Sequence, residues 1–397
     1  MTAIQDIRAE EIRDSRGKPT LRVVVVADGQ EGSFDVPSGA STGEHEAHEL
    51  RDASGGMSLA LRAIAEDIAP ALRGMEADQR ELDAALITLD GTEAKSRLGG
   101  NTLIGVSIAA ARAFARAARA PLYEYLRSLA SIPPSRAAPL LFVNLINGGK
   151  HAEGGSPFQE HQIIPDTDDV REALDIVGRV YEKLGARIRA GGSEPGEGDE
   201  GGYVFPVKDV ETPFALLAET SSGEKVFLGA DIAASSFYRD GAYDVLGQRK
   251  SAHDLLRMYR DFRAKVGLRF VEDPFSEESF ADFSALASTE PDLTLIGDDL
   301  TTTDPERIGK AAEVRAIRAV IIKPNQIGTL SETLAAMKAA RDNGIDCIVS
   351  HRSGETMDDF VGELAFAFGA FGLKAGAPHR PERRVKYERL LALTTAV

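Results

Sequence analysis

The 397-residue chain has no tryptophan and a single cysteine, Cys347. One thiol excludes a disulfide framework and a cysteine-rich zinc site within the chain. Long apolar runs are also missing. None is longer than Val23–Ala27, far short of the roughly 18 residues that span a bilayer, so no membrane partner is expected. The N-terminal MTAIQDIRAEEIRDSRG mixes charged and apolar residues and has no signal-peptide core, which makes a reducing cytoplasm the expected location. Positive charge is the other deficit. Lys and Arg number 46 against 62 Asp and Glu, a net charge of −16. A field of that sign repels phosphate backbones and argues against a nucleic-acid surface. It should also repel small anionic substrates unless positive groups are brought into the site.

What is present is ordinary globular composition, 43% hydrophobic and 27% charged, in a chain long enough for two or three domains or a barrel with an appendage. The first 50 residues read as β structure. Leu21–Asp28 (LRVVVVAD) is a short β-branched strand, GQEG a turn and SFDV a second strand. From about Ser58 to Leu126 the pattern turns helical, in Ala-rich runs such as LIGVSIAAARAFARAA. Three prolines in Ile132–Pro139 mark a linker, dividing an α+β domain at 1–131 from a second domain at 138–397.

Beyond the linker one theme recurs, in which a short apolar run ends in a charged residue and a helical segment follows. The ends fall at Asp231, Glu272, Asp298, Lys323, His351 and Lys374, at intervals of 41, 26, 25, 28 and 23 residues. A strand, a helix and two loops need roughly 25–30 residues. Uniformly apolar strands are buried on both faces, as in a parallel α/β barrel, and residues at the C-terminal strand ends of such a barrel face its active site. Three buried carboxylates cannot stay ionised together without a cation, and all-oxygen ligation points to Mg²⁺ rather than zinc. Asp273 and Asp299, one residue further on, read as more distant support or as N-caps. Near a metal the Lys323 ammonium should deprotonate more readily and serve as a base.

The segment VIIKPNQIGTLSET (Val320–Thr333) resembles the enolase signature. So do SGASTGEHEA (Ser38–Ala47), LDGTEAKSRLGGN (Leu89–Asn101), INGGKHA (Ile146–Ala152), GDEGG (Gly198–Gly202), VEDPF (Val271–Phe275), GDDL (Gly297–Leu300), SHRSGET (Ser350–Thr356) and the early DSRGKPT. Nine motifs in order across nearly the whole chain make the resemblance to the enolase family specific. It implies an N-terminal α+β capping domain followed by an enolase-type (β/α)8 barrel, and dehydration of 2-phosphoglycerate to phosphoenolpyruvate. A lysine base acting beside metal-bound carboxylates is the arrangement for which the enolase superfamily is known.

Position by position, the resemblance implies that Asp231, Glu272 and Asp298 hold one Mg²⁺, while Ser41, in the family's mobile SGAST loop, helps bind a second that arrives with substrate. Lys323 would remove the C2 proton. Glu200, assisted by Glu160, would protonate the departing C3 hydroxide. Lys374 would pair with the substrate carboxylate, Arg352 and Ser353 would hold the phosphate, and His151, Gln159, His351 and Ala40 would complete the pocket. His45 and His48 read as surface or lid residues on the charged start of a helix, and His161 as a local repacking where the family usually has Phe.

The chain is shorter than typical family members after Glu49–Asp52 and after Asp240–Val245, and Ser236 replaces a usual Glu. These rim changes keep open a paralogue acting on a modified 2-phosphoglycerate or on a phosphonate or phosphinate analogue. A binding role without catalysis is a third reading, against which the intact Lys323, Glu200 and three acids argue. A homodimer is expected, with the family's intersubunit ion pair inverted as Glu10 and Arg179, and a second family pair replaced by Arg22 and Ala392.

Overall fold

The computed structural model describes residues 3–40, 43–152 and 154–396. Three strands open the chain, β1 (Ile4–Arg13), β2 (Pro19–Ala27) and β3 (Gln30–Asp35), paired as an antiparallel meander. Leu21, Val23, Val25 and Ala27 alternate inward and are fully buried, while Arg22 points out, as a sheet with one covered face requires. The β2–β3 turn is the pair Asp28–Gly29, both at positive φ (51° and 70°). Such a pair matches the twist of a two-residue hairpin. The turn is therefore one residue earlier and shorter than the GQEG expected from sequence, and Gln30 already pairs with Ala27. Helix α1 (Gly100–Ala117) lies on this sheet. It approaches so closely that a Cβ on Gly32 would fall 2.1 Å from the Ala109 carbonyl oxygen. Residues 43–57, part of which was read as the start of a helix, form turns and irregular chain. Residues 130–139 carry neither helix nor strand.

Eight further strands close a barrel: β4 (Leu140–Asn147), β5 (Glu160–Pro165), β6 (Val226–Asp231), β7 (Leu268–Glu272), β8 (Thr294–Gly297), β9 (Ala319–Ile322), β10 (Asp346–Ser350) and β11 (Gly372–Lys374). Each pairs with the next in sequence, and β11 pairs back onto β4. Leu140, Phe142, Ile164, Phe270, Ile296, Ala319, Ile321 and Ile348 fill the interior as a separate apolar cluster.

The ring departs from the uniformly parallel barrel expected from sequence at one strand. β5 runs antiparallel to both β4 and β6. Among its described residues the connection 148–159 holds one short 3₁₀ turn and no helical crossover of the kind a parallel return needs. As a result β5 presents its first residues at the rim where the other strands present their last. The loop after β6 folds into a small three-stranded sheet (Tyr238–Arg239, Ala242–Val245, Gln248–Lys250). Among the described residues no helix is long and apolar enough to cross a membrane.

The N-terminal region is fastened to the barrel by a buried polar knot. Asp83, on the helix Gln79–Asp90, accepts from Ser107 Oγ at 2.6 Å and from the Ser331 amide at 2.9 Å, and Ser107 Oγ accepts from the Leu330 amide at 3.0 Å. Leu330 and Ser331 begin the helix Leu330–Asp342 behind β9, so two side chains of one region satisfy amides that would otherwise be orphans at a helix start in the other. Burial pushes the Asp83 carboxyl upward, against the hydrogen bonds from Ser107 and Ser331. Ser107→Ala should strand the Leu330 amide and leave Asp83 Oδ1 with Gln79 Nε2 as its remaining donor, lowering stability in urea titration by about 1–3 kcal/mol. An unchanged midpoint would show that the knot carries no net stability.

Candidate active site

Because β5 is reversed, Gln159 and Glu160 reach the same rim as the C-terminal residues of the parallel strands, and Glu160 sits directly across from Asp231 in the β5–β6 register. Asp231, Glu272 and Lys374 end β6, β7 and β11. Asp298, Lys323 and the run His351, Arg352, Ser353 immediately follow β8, β9 and β10. These side chains, with the exception of Glu272, line one cavity together with His151 and Glu200. Ala40 is exposed and is not part of that lining. Ser41 lies outside the described residues.

The floor of the cavity is acidic. Oxygens of Asp231, Glu272 and Asp298 all lie within 4.8 Å of one another, and all three residues are buried. Lys374 Nζ donates to both Glu272 oxygens at 2.8 Å and to Asp231 Oδ2 at 3.3 Å, and lies 3.1 Å from Glu160 Oε1. Burial alone would lower the Lys374 ammonium, but Glu160, Glu272 and Asp231 outweigh it and hold it well above its ordinary range. Glu272 is pushed well up by burial and then by the Asp231 charge. An all-oxygen set with unrelieved carboxylate repulsion is the donor chemistry of a hard divalent cation, so the residues present fit a metal site.

Lys323 Nζ donates to Asp298 Oδ2, and Gln326 Nε2 donates to Asp298 Oδ1 at 2.9 Å. The lowered Lys323 pKa expected from sequence is not what these protein groups produce. Burial lowers it, but the touching Asp298 carboxylate more than compensates and the net direction is upward. Asp273 accepts from the amides of Asp298 (3.0 Å) and Asp299 (2.6 Å), which fixes the chain at the end of β8 and agrees with the supporting role read for it. Asp299 is raised to about 8 by burial and by Asp298.

On the opposite side Glu200 is carried by the turn at 198–202. A Cβ on either Gly198 or Gly202 would fall 2.6 Å from the Asn147 side chain, so the glycines of GDEGG let this turn press against the end of β4. Asn144 Nδ2 donates to Glu200 Oε2 at 3.0 Å, with His151 Nδ1 and His351 Nε2 at 3.5 and 3.3 Å from Oε1. Burial alone would raise Glu200, but His151, His351 and Arg383 bring it well below its usual range. Burial and the Glu200 charge push Glu160 well up. The two neighbouring carboxyls are thus displaced in opposite directions, Glu160 upward and Glu200 downward.

Arg383 was missed in the sequence reading. It is fully buried and donates through Nη1 to His351 Nδ1 (2.7 Å) and the Arg352 carbonyl (2.6 Å), and through Nη2 to the Ser353 carbonyl (2.6 Å). A guanidinium cannot accept, so His351 Nδ1 is the acceptor and the neutral ring carries its proton on Nε2, toward Glu200. Residues 383, 386, 387, 390 and 393 form the buried stripe of the C-terminal helix Pro381–Ala396. Extending the apolar spacing of Tyr387, Leu390 and Leu393 backwards would have found Arg383. Arg16, also missed, donates to Ser353 Oγ at 3.2 Å and is braced by Asp14.

Other sequence-derived candidates fall away from the cavity. His45 pairs with Glu278 at 2.7 Å on the exposed rim, and His48 is exposed. His161 is fully buried against Phe214 (ring centroids 4.7 Å apart), 3.4 Å from both Ser156 Oγ and the Ile146 carbonyl, and does not line the cavity. Glu10 and Arg179 are each engaged within one chain, with Arg22 at 3.5 Å and Glu224 at 2.8 Å.

Two family models match the chain, "Enolase, N-terminal domain" over residues 4–126 and "Enolase, C-terminal TIM barrel domain" over residues 135–397. Among curated relatives, the chain is 41% identical over 412 residues to the protein named Enolase of Methanopyrus kandleri, covering 99% of this chain and 96% of the relative. It is 40% identical over 410 residues to that of Corynebacterium kroppenstedtii, covering 99% and 95%. Against that of Aeropyrum pernix it is 40% identical over 410 residues, covering 98% and 94%.

Two buried histidines give a pH signature. Burial lowers His161 and His351 to about 4, while the unfolded chain protonates them near pH ~6.5. The stability each contributes is present above that pH and is lost as pH falls toward 4, with a slope of up to about 1.4 kcal/mol per pH unit per histidine. Urea titrations across this window should show the loss, and His161→Phe should flatten it. An identical slope in the variant would mean that His161 takes up a proton in the folded state.

Proposed function

The chain belongs to the enolase family, and from that premise we propose that it is a Mg²⁺-dependent hydro-lyase that converts 2-phosphoglycerate to phosphoenolpyruvate. The observation that carries this reading is the opposition of Lys323 and Glu160 across one cavity. They stand at β9 and β5, four strands apart in a ring of eight and so on facing walls, with the Asp231, Glu272 and Asp298 cluster between them.

Asp231, Glu272 and Asp298 are the residues to hold one Mg²⁺, and Ser41 to contribute to a second. When bound, the metal supplies positive charge against the negative charge that builds on the substrate carboxylate as C2 loses its proton. Arg352 and Ser353 bind the phosphate, with Arg16 steadying the Ser353 hydroxyl, and Lys374 offers its ammonium to the substrate carboxylate. Once Asp298 is engaged with a cation it would no longer hold the Lys323 ammonium charged, and the neutral Nζ takes the C2 proton. The electron pair left at C2 becomes the C2=C3 bond as the C3–O bond breaks.

The proton held by Glu160 passes to Glu200, whose oxygens lie within 4.8 Å of its own, and from Glu200 to the departing hydroxide, which leaves as water. His351, fixed as the Nε2–H tautomer by Arg383, presents that N–H toward Glu200. Base and acid on opposite walls make the elimination anti.

The test is ultraviolet absorbance of the enol product with 2-phosphoglycerate and Mg²⁺. Turnover is expected, lost on chelation, and lowered by at least about 10³-fold in Lys323→Ala and by about 10²–10⁴-fold in Glu200→Gln. A folded protein inert to 2-phosphoglycerate with Mg²⁺ would overturn the proposal.

A further inference from the structure

Glu46 belongs to the N-terminal region, yet it is bound to both ends of the cavity. Its side chain is 7% exposed and that of Arg352 is 3% exposed. The carboxylate accepts from Arg352 Nη1 at 2.8 Å and Nη2 at 3.3 Å, from the Gly43 amide at 3.1 Å and from Gln326 Nε2 at 3.3 Å. Arg352 lines the cavity and Glu46 does not, so the carboxylate sits behind the guanidinium rather than in the ligand's place. Asn325 Oδ1 accepts from the same Nη1 at 3.1 Å. Gly39 closes the other edge, since a Cβ there would lie 2.0 Å from Nη2.

The second link runs to the base. The Gln326 amide that donates to Glu46 also donates to Asp298, the carboxylate paired with Lys323. Thr303 Oγ1 donates to Gln326 Oε1 at 2.6 Å and accepts from the Lys323 amide at 2.9 Å, so Gln326 cannot swing free. The Ala47 amide donates to the Gln326 carbonyl at 2.7 Å, which seats the 43–49 chain on this loop.

A two-pronged carboxylate pair fixes the plane of a guanidinium as well as its position. We propose that Glu46 is a positioning residue that sets the plane in which Arg352 meets the ligand's phosphate group. This rests on the reading above that Arg352 holds the substrate phosphate. The tie through Gln326 keeps that plane in register with Asp298 and Lys323, so that phosphate and reacting carbon are held at a fixed separation.

The experiment compares wild type, Glu46→Gln and Glu46→Asp by calorimetric titration with inorganic phosphate and by initial rates with 2-phosphoglycerate at saturating Mg²⁺. Glu46→Gln keeps the size but loses the charge. It should weaken phosphate binding and raise KM, each by about tenfold, while kcat stays within about threefold. Glu46→Asp, charged but shorter, should fall between the two. Unchanged phosphate affinity and KM in folded Glu46→Gln would overturn the proposal, as would a fall in kcat at constant KM or a wild type that does not bind inorganic phosphate. If Glu46→Gln does not fold, Glu46→Asp decides, and wild-type KM in that variant overturns it. Phosphate binding without turnover of 2-phosphoglycerate would count against the proposed reaction and leave the Glu46 comparison intact.

Discussion

The constraint on which the site depends is the burial of more carboxylates than the protein's own cations can neutralise. Lys374 is shared by Glu160, Asp231 and Glu272, and Lys323 is committed to Asp298. Asp273 and Asp299 are buried beside these; Asp273 accepts from two backbone amides, and burial with neighbouring carboxylates displaces both carboxyls upward. Removing one partner of such a buried group costs far more than the group returns. The cluster therefore makes physical sense as a socket for cations supplied from outside, and the surrounding barrel as the frame that keeps the acids from relaxing apart.

The frame achieves this through one topological irregularity. In a uniformly parallel barrel Glu160 and Gln159 would have faced the opposite end, and the acid wall would lack its Glu160 component. Reversing β5 brings them to the mouth, four strands from Lys323. Glu200 then needs only a glycine-flanked turn pressed onto Asn147 to stand beside Glu160. Glu160 and Lys323 are thus set on facing walls by barrel closure itself.

This explains which parts were legible in sequence. Asp231, Glu272, Asp298, Lys323, His351 and Lys374 announce themselves because each ends or follows an apolar strand at a recurring interval, a signal that strand periodicity carries by itself. The reversal of β5 left no such mark, since His161-Gln162-Ile163-Ile164 reads equally well in either direction, and Glu160 was identified only through the resemblance. Arg383 and Glu46 were harder for another reason. Neither occupies a strand end, and each acts by gripping a residue distant in sequence, so their importance lies in a tertiary contact. The positive-φ pair Asp28–Gly29 was visible as a dipeptide and was overlooked in favour of the glycines around it.

The net charge of −16 posed the question of how an acidic chain accepts an anion. The cavity lining contains Glu160, Glu200, Asp231, Asp273, Asp298 and Asp299 against Lys323, Arg352 and Lys374, so the mouth repeats the imbalance of the whole chain. The remedy is spatial. Lys323 and Lys374 sit among the floor acids, whereas Arg352 stands apart from them. Arg352, with its charge partner Glu46 behind it and Arg16 nearby, forms one positive corner next to Ser353, while the acids gather on the floor. A ligand with phosphate and carboxylate ends meets that corner at one end and at the other a floor that repels it until divalent cations are present. Under the proposed function, anion and cation binding are therefore linked, and the acid surplus of the floor disfavours an anion that arrives without its metal.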